Sequence, residues 1–473
     1  MRFLFILLSF APAFMQRGYG QEKHRVIILS DIEADPDDSQ SFVRLLLYAN
    51  TMDIEGLVAT TSIHQQGFIA PESITKLLEA YAKVHPNLLK HEPGYPEAAA
   101  LMALVKKGQP GYGMKHVGKG HDSEGSDLII KALEKDDKRP VWVSVWGGVN
   151  TLAQALYKIK ETKSSAEAKR LTAKLRVYTI SDQDDSGSWI RKTFPDVFYI
   201  VTPGGYGKAT WGGINLTINS IDNTTVSNAW LAENIQQGHG PLGAMYPDVG
   251  YGMEGDTPAF LGLIPNGLND AEHPNKGGWG GRYELYKITP AELEGEGFTG
   301  GVPFEPETRP IWTNAFDTYQ TYTYSPYGRP VKKDTVITKD NKVTLWRWRD
   351  DFQNDFAARM DWCTKPYEEA NHPPVAKLGH ADKITVTSGE MFTLSAAGST
   401  DPDGDSLSYL WLQYNEIGTS PAIPFLTAEN LYRVVLKAPE IKKAVTAHFV
   451  LKVTDKGTPA LTKYKRVEVL ITP

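Results

Sequence analysis

One stretch limits the folds open to this chain more than any other: residues 24–63, which read strand, acidic loop, helix, strand. His24 to Leu29 (HRVIIL) is a continuous β-branched run, the pattern of a strand buried on both faces. Asp31 to Asp38 follows as a polar loop. Ser39 to Ala49 then carries Phe42, Leu45, Leu46 and Ala49 at helical spacing, and Ile54 to Thr61 (IEGLVATT) reads as a second strand. Strand, helix and strand in this order make a βαβ unit. The alternation continues. Ser73 to Tyr81, Ser126 to Glu134 and Asn150 to Thr162 read as helices. Val141 to Trp146, Leu175 to Ile180 and Phe198 to Val201 read as strands, with a Gly147-Gly148 turn after the first of these. The prediction is an α/β domain: a mostly parallel sheet, helices on both faces, ligands at the carboxyl ends of the strands.

Residues 203–345 are rich in Gly, Trp and Tyr with weak periodicity, and are expected to form long loops decorating the sheet. Trp346 to Ala358 reads as a closing helix. The texture changes at Asn371-His372-Pro373-Pro374, a stiff extended linker. Beyond it, short alternating runs separated by turn clusters predict an immunoglobulin-like β-sandwich of some seven strands. At the other end, Arg2 followed by the apolar run Phe3 to Phe14 and the small-residue stretch Gly18-Tyr19-Gly20 has the form of a signal peptide. The expected organisation is therefore 1–20 signal peptide, 21–370 α/β domain and 371–473 β-sandwich, in a secreted or periplasmic protein with no membrane contact after cleavage. An uncleaved N-terminal anchor is the alternative. Net charge of −6 argues against a nucleic-acid partner, which needs a basic face. The single cysteine, Cys363, excludes an intramolecular disulfide and a thiolate metal cluster, and its neighbours Trp362 and Thr364 offer no base.

The loop Asp31-Ile32-Glu33-Ala34-Asp35-Pro36-Asp37-Asp38 packs five carboxylates into eight residues at the end of a buried strand. Carboxylates this close repel unless something positive sits among them. A divalent cation, with calcium the most tolerant of irregular oxygen ligands, is one reading. A solvated turn with Asp37 or Asp38 capping the next helix is the other.

This loop resembles the Asp-Thr-Asp-Pro-Gly-x-Asp-Asp signature of the inosine–uridine nucleoside hydrolases, with Asp31, Glu33 and the pair Asp37-Asp38 at the acidic positions. Val145-Trp146-Gly147-Gly148-Val149-Asn150, followed by Thr151-Leu152-Ala153, resembles a second segment of that family, and Glu254-Gly255-Asp256-Thr257 its late His-Asp pair. Joined to a C-terminal segment carrying Asp401-Pro402-Asp403-Gly404-Asp405, the chain resembles secreted bacterial cellulose-binding proteins with a nucleoside-hydrolase-like domain. The resemblance implies a calcium ion on Glu33, Asp37, Asp38, Asp256 and the Trp146 carbonyl. It also implies Asp31 or Glu33 as the base that deprotonates water, and a glycosidic bond as the target. Substrate contacts are expected from His64, Asn150, Asp182, Asp184, Asp185 and Glu254. Trp211 and Trp279, on Gly-rich loops, are candidates to stack on sugar rings or to pack internally. Nucleoside hydrolases often form dimers or tetramers, which leaves a homodimer open here, though the C-terminal segment could block it.

Three departures from the family pattern matter. Glu33 is one methylene longer than the family's Asp, Asp35 replaces its Gly, and Gly255 replaces the His that would serve as a general acid. A calcium-dependent hydrolase acting on a nucleoside-like or polysaccharide-derived sugar and a non-catalytic polysaccharide-binding protein are the two functional readings. An interaction protein working through its sandwich domain is a third. The Asp401–Asp405 loop resembles a cadherin or PKD-like turn, and reads either as a calcium loop or as a plain Asp/Gly turn between strands.

Overall fold

The computed structural model describes residues 22–216, 222–294, 300–320, 323–324, 330–331 and 337–473. The leader expected at 1–20 lies outside the described residues. Among those described, no helix is long and apolar enough to cross a membrane.

The first strand, β1 (His24–Ser30), leads to helix α1 (Asp37–Leu47), and β2 (Met52–Ala59) leads to α2 (Pro71–His91). Then come β3 (Val105–Lys107), α3 (Glu124–Glu134), β4 (Val141–Val145), α4 (Asn150–Thr162), β5 (Leu175–Thr179), α5 (Ser186–Thr193) and β6 (Phe198–Ile200). Two further strands, β7 (Tyr283–Tyr286) and β8 (Ile311–Asn314), complete one sheet in the order β3-β2-β1-β4-β5-β6-β8-β7. All pairings are parallel except β7 with β8. The mostly parallel sheet is as expected. Its last two strands are not, because they fall in the region read as loops, and four-residue strands are too short to show a period.

Side chains of a strand alternate between faces. Val26 and Ile28 of β1 join one apolar core with α1 and α2, while Ile27 and Leu29 join the other with α3 and α4. Burial on both sides is why Val26 to Leu29 is an unbroken apolar run. The order of strands reverses at β1, whose neighbours are β2 and β4. Loops leaving the carboxyl ends of β1 and β4 therefore diverge over a crevice, the usual ligand site of such sheets. Leu29 pairs with Val145, and the Trp146 N–H donates to the Leu29 carbonyl (2.7 Å), so the two loops start side by side.

The closing helix is α6 (Arg349–Asp361). Cys363, just beyond it, is buried, and burial pushes its thiol up, which removes it as a nucleophile. The C-terminal region forms β9 (Lys383–Thr387), β10 (Met391–Ser395), β11 (Ser408–Gln413), β12 (Arg433–Lys437), β13 (Val445–Thr454) and β14 (Thr462–Thr472). One sheet runs β9-β14-β13-β11 and the other pairs β10 with β12. Leu394, Trp411, Leu436, Phe449 and Val467 fill the space between them.

This β domain does not hang free. Its Tyr414, Val450 and Tyr464 belong to the same apolar core as α1, α2 and α6. Arg466 donates to three carbonyls of the α/β domain, those of Leu268 (2.6 Å), Lys276 (2.9 Å) and Gly277 (2.7 Å). Trp279 lies in this junction with no exposed surface, its Nε1 donating to Tyr464 Oη (3.2 Å) and its ring edge-on to Phe352. It is an internal packing residue and not a sugar platform, because the β domain covers the loop that carries it.

Candidate metal and sugar site

The acidic loop turns sharply after β1. The Ala34 N–H donates to the Asp31 carbonyl (2.9 Å), and Ser30 Oγ donates to Asp38 Oδ1 (2.5 Å), tying the strand end to the first turn of α1. Asp37 and Asp38 sit inside that turn, where the helix dipole favours negative charge. Neither caps the helix: the Asp37 N–H is taken by Asp35 Oδ1 (3.1 Å).

Asp256 reaches the same place from the other half of the domain. The turn before it is pinned by Glu254, whose backbone lies in the left-handed region (φ +51°), a conformation that persists only where its surroundings enforce it. Glu254 is fully buried. It forms a bidentate ion pair with Arg44 of α1, and accepts from Tyr246 Oη (2.9 Å) and Thr257 Oγ1 (2.8 Å). Expected at the substrate, Glu254 is instead a clamp that fastens the Asp256 turn to α1.

Asp37, Asp38 and Asp256 each place a carboxylate oxygen within 4.8 Å of the others, and all three are buried. Asp31 is buried beside them. Among the described residues, no lysine or arginine forms an ion pair with any of the four, and Asp256 Oδ2 is buried with no hydrogen-bond partner. Burial first, and then their mutual charge, hold the carboxyls of Asp37, Asp38 and Asp256 well above the usual range. Burial pushes Asp31 up to about 7. Buried carboxylates left uncompensated cost several kcal/mol each, roughly, unless protonated or paired with a cation. The orphaned oxygen and the all-oxygen donor set fit a hard cation of the calcium class.

The Trp146 carbonyl, at the end of β4, accepts from Gln183 Nε2 (2.7 Å) and lines the same space as Asp31. Gly147 lets the β4 loop approach this closely, since a β-carbon there would lie 2.6 Å from Asp31 Oδ1. Glu33 does not join the three-carboxylate group. Its backbone is left-handed (φ +84°), the side chain is exposed, and its carboxylate accepts from Ser73 Oγ of α2. The loop reversal between Asp31 and Ala34 turns Glu33 toward α2, and Asp37 completes the cluster.

Above the carboxylates opens a cavity of about 470 Å³. Tyr206, Trp211 and Tyr251 form aromatic walls, and His64 and Gln183 supply polar groups. His64 Nε2 lies 3.0 Å from Tyr206 Oη, and Trp211 Nε1 donates to Asp37 Oδ2 (3.2 Å). His64 and Trp211 thus line the cavity as expected.

The loop after β5 behaves differently from expectation. Asp182 is held by Arg191 (2.9 and 2.7 Å), which also pairs with Glu307 (2.6 Å). Asp184 is buried, accepts from the backbone of Asn150 (3.0 Å) and Ser186 (2.8 Å), and is pushed up to about 7 by burial. Asp185 accepts from the Met114 N–H (2.7 Å), and Asn150 Nδ2 donates to the Gly111 carbonyl (2.7 Å). None of these four lines the cavity; they brace the loop, because each already has fixed partners. The residue that faces the cavity is Gln183, with Oε1 buried and unpartnered. Gln183, Tyr206 and Tyr251 were missed from the sequence: an amide among three aspartates and isolated tyrosines carry no motif.

A sheet of this order, with strand-end carboxylates joined by a distant aspartate and a β domain packed behind, defines a nucleoside-hydrolase-like protein with an appended β module. The comparisons make this specific: the chain belongs to the family described as cellulose-binding Sde182, nucleoside hydrolase-like domain, which matches residues 25–283. Residues 391–472 match the C-terminal domain of cellulose-binding protein Sde0182. Among solved structures, the chain is similar to a nucleoside hydrolase-related hypothetical protein from Saccharophagus degradans associated with carbohydrate metabolism. The two share 34% identity over 95% of this chain and 100% of that one, with a TM-score of 0.76. A PKD domain from KIAA 1837 protein (21% identity over 20% of this chain and 84% of that one, TM-score 0.16) and the effector protein XOO4466 (10% identity over 62% and 88%, TM-score 0.33) are too distant to bear on function. No curated protein matches the chain.

Proposed function

We propose that the chain is a secreted, calcium-dependent hydrolase of glycosidic bonds whose substrate is a sugar of polysaccharide origin. The observation that carries this is the group of buried carboxylates Asp37, Asp38 and Asp256, with no basic partner among the described residues, set at the floor of an aromatic-walled cavity. The family's cellulose-binding description supports a carbohydrate as the partner. Asp37, Asp38, Asp256 and the Trp146 carbonyl hold the cation. When bound, such an ion supplies a fixed positive charge that orients oxygen ligands and makes them more acidic. Asp31 stands beside the cluster as the proton acceptor. Tyr206, Trp211 and Tyr251 take the faces of the sugar ring by dispersion contact. His64, oriented by Tyr206, is the one imidazole lining the cavity and takes the proton-donor role given up at Gly255.

The test strips the protein of metal and titrates calcium by calorimetry into the wild type and Asp256→Asn, followed by a panel of nucleosides and cello-oligosaccharides. Calcium binding lost in the variant, with turnover of a panel member by the wild type alone, is the expected result. A second reading, carbohydrate binding without catalysis, draws on Gly255, where the indole of Trp211 fills the place of the family's imidazole. Oligosaccharide affinity that survives Asp256→Asn, with no turnover anywhere on the panel, selects it. Location is tested by N-terminal sequencing of exported protein, with Gln21 expected as the first residue.

A further inference from the structure

The β domain carries a second group of carboxylates. Asp401, Asp403 and Asp405, in the loop between β10 and β11, each place an oxygen within 4.8 Å of the others. Asp455 follows β13 directly and is only 2% exposed. Its Oδ1 is saturated, accepting from Leu461 N–H (2.9 Å), Gly457 N–H (3.1 Å) and Asn371 Nδ2 (3.1 Å). Its Oδ2 is buried with no partner. Asp401 shows the same asymmetry: Oδ1 accepts the N–H groups of Asp403 (2.9 Å) and Asp405 (3.0 Å), while Oδ2 is buried and unpartnered. Burial holds the Asp455 carboxyl above its usual value, and the nearby charge of Asp401 adds to that.

Buried carboxylate oxygens without donors are costly, and carboxylates gathered together repel. Among the described residues, the one basic side chain within ion-pair distance of any of these four is His372, 3.0 Å from Asp403. That imidazole is not itself available to a metal: Nδ1 faces Asp403, and Nε2 lies 3.0 Å from His91 Nδ1. The free donors are therefore all oxygens, which selects a hard cation over zinc or copper.

We propose that Asp401, Asp403, Asp405 and Asp455 form a second site for a divalent cation of the calcium class, and that the ion fastens the linker between the domains. The placement explains the second part. Asn371 is bound by Asp455, and its carbonyl accepts from Trp362 Nε1 (3.0 Å). His372 is bound by Asp403 and stacks on Tyr367 with ring centroids 3.8 Å apart. Two of the four ligands thus grip consecutive linker residues that in turn contact α2 and the end of α6. Drawing these carboxylates onto one ion fixes their outer oxygens on the linker.

The experiment uses the full chain, stripped with EDTA, in the Asp256→Asn background, which removes the strand-end cluster. Calcium is titrated by calorimetry and its effect on Tm recorded. One binding event is expected to persist in Asp256→Asn and to raise Tm. Both effects are lost on adding Asp405→Asn, a half-buried loop position whose substitution leaves the fold intact by circular dichroism. Asp455→Asn gives an independent second variant. A folded Asp256→Asn chain that binds no calcium overturns the proposal, as does calcium binding unchanged by Asp405→Asn and Asp455→Asn. The strand-end reading is judged separately: a wild type that binds one ion, lost with Asp256→Asn alone, refutes this site and spares that one, and the converse pattern does the reverse.

Discussion

A single β-carbon on Gly255 tests how the strand-end site is assembled. An ideal Cβ there lies 1.9 Å from Trp211 Nε1 and 2.5 Å from Asp37 Oδ2, whereas ordinary contact begins at 3.4 Å. The backbone at Gly255 is outside the left-handed region, so alanine is barred by its neighbours and by nothing else. Accommodating it moves the indole by about 1.5 Å. That breaks the Trp211 Nε1 to Asp37 hydrogen bond (3.2 Å) and disturbs the edge contact of Trp211 with Tyr206 (centroids 5.7 Å apart). Overpacking costs about 1–3 kcal/mol, and a hydrogen bond to a charged group about 1.5–3 kcal/mol. The two overlap in one displacement, so Gly255→Ala is expected to cost about 3 kcal/mol. In a Trp211→Ala background only the contact with Asp37 Oδ2 (2.5 Å) remains, so the same change costs about 1 kcal/mol. The assay is a double-mutant cycle of urea unfolding curves in EDTA, with a coupling energy of about 2 kcal/mol expected. A cost for Gly255→Ala that is equal in both backgrounds to within about 0.5 kcal/mol refutes the claim that the indole occupies the missing imidazole's place.

Three further outcomes follow from the same geometry. Asp256→Asn removes one of three buried like charges, so in EDTA it should stabilise the chain by about 1–3 kcal/mol in urea unfolding while abolishing strand-end calcium binding. Asp184 is raised from 3.8 to about 7 in the folded state, so the native protein binds the extra proton between those values. Its contribution is fully present below about pH 4 and is lost as pH rises to 7, up to about 4 kcal/mol; Asp184→Asn should flatten that part of the stability–pH curve measured by denaturant unfolding. Arg466→Ala strips donors from three carbonyls at the domain junction and should cost about 2–4 kcal/mol, with a single calorimetric transition broadening or dividing into two.

The parallel core was legible because a strand buried on both faces carries apolar residues on both, as Val26 to Leu29 of β1 and Val141 to Val143 of β4 do. β7 and β8 escaped notice for other reasons: Tyr-Glu-Leu-Tyr is short and half exposed at the sheet edge, and Ile-Trp-Thr-Asn is mostly buried but too short to show a period. At the site, Asp31, Asp37 and Asp38 were legible as carboxylates crowded into one loop, and Asp256 through the resemblance of Glu254-Gly255-Asp256-Thr257 to a His-Asp pair. Their partners were not. Glu33 and Asp37 are four positions apart on one loop, and the backbone reversal alone decides which of them faces inward. Asp182, Asp184 and Asp185 looked like ligands because a run of acids has no local compensation, yet Arg191 and the backbone of Met114, Asn150 and Ser186 supply it from elsewhere in the fold. Trp279 looked like a loop aromatic, because its burial is created by strands that lie nearly two hundred residues further along the chain.

That last case points to what the β domain does for the α/β domain. Asp351, near the start of α6, accepts from Tyr464 Oη and Thr462 Oγ1 (3.2 Å) of β14 and is paired with Lys452 (2.6 Å) of β13. The next turn of α6 holds Arg44: the Phe352 carbonyl accepts its Nη1 (3.2 Å), Gln353 Oε1 accepts its Nη2, and Phe356 lies 3.9 Å beneath the guanidinium. Arg44 is the partner of Glu254, and Glu254 sets the turn that delivers Asp256. Each link is a direct contact, and the arginine is fully buried, so it cannot exchange Glu254 for water if α6 shifts. The sandwich therefore braces α6 at the point where α6 braces the turn that carries Asp256. An arrangement in which the β domain served only as a tether would need neither the shared core around Trp279 and Tyr464 nor the charges on Asp351 and Lys452; both are explained if the module is part of the frame that holds Asp256 in place.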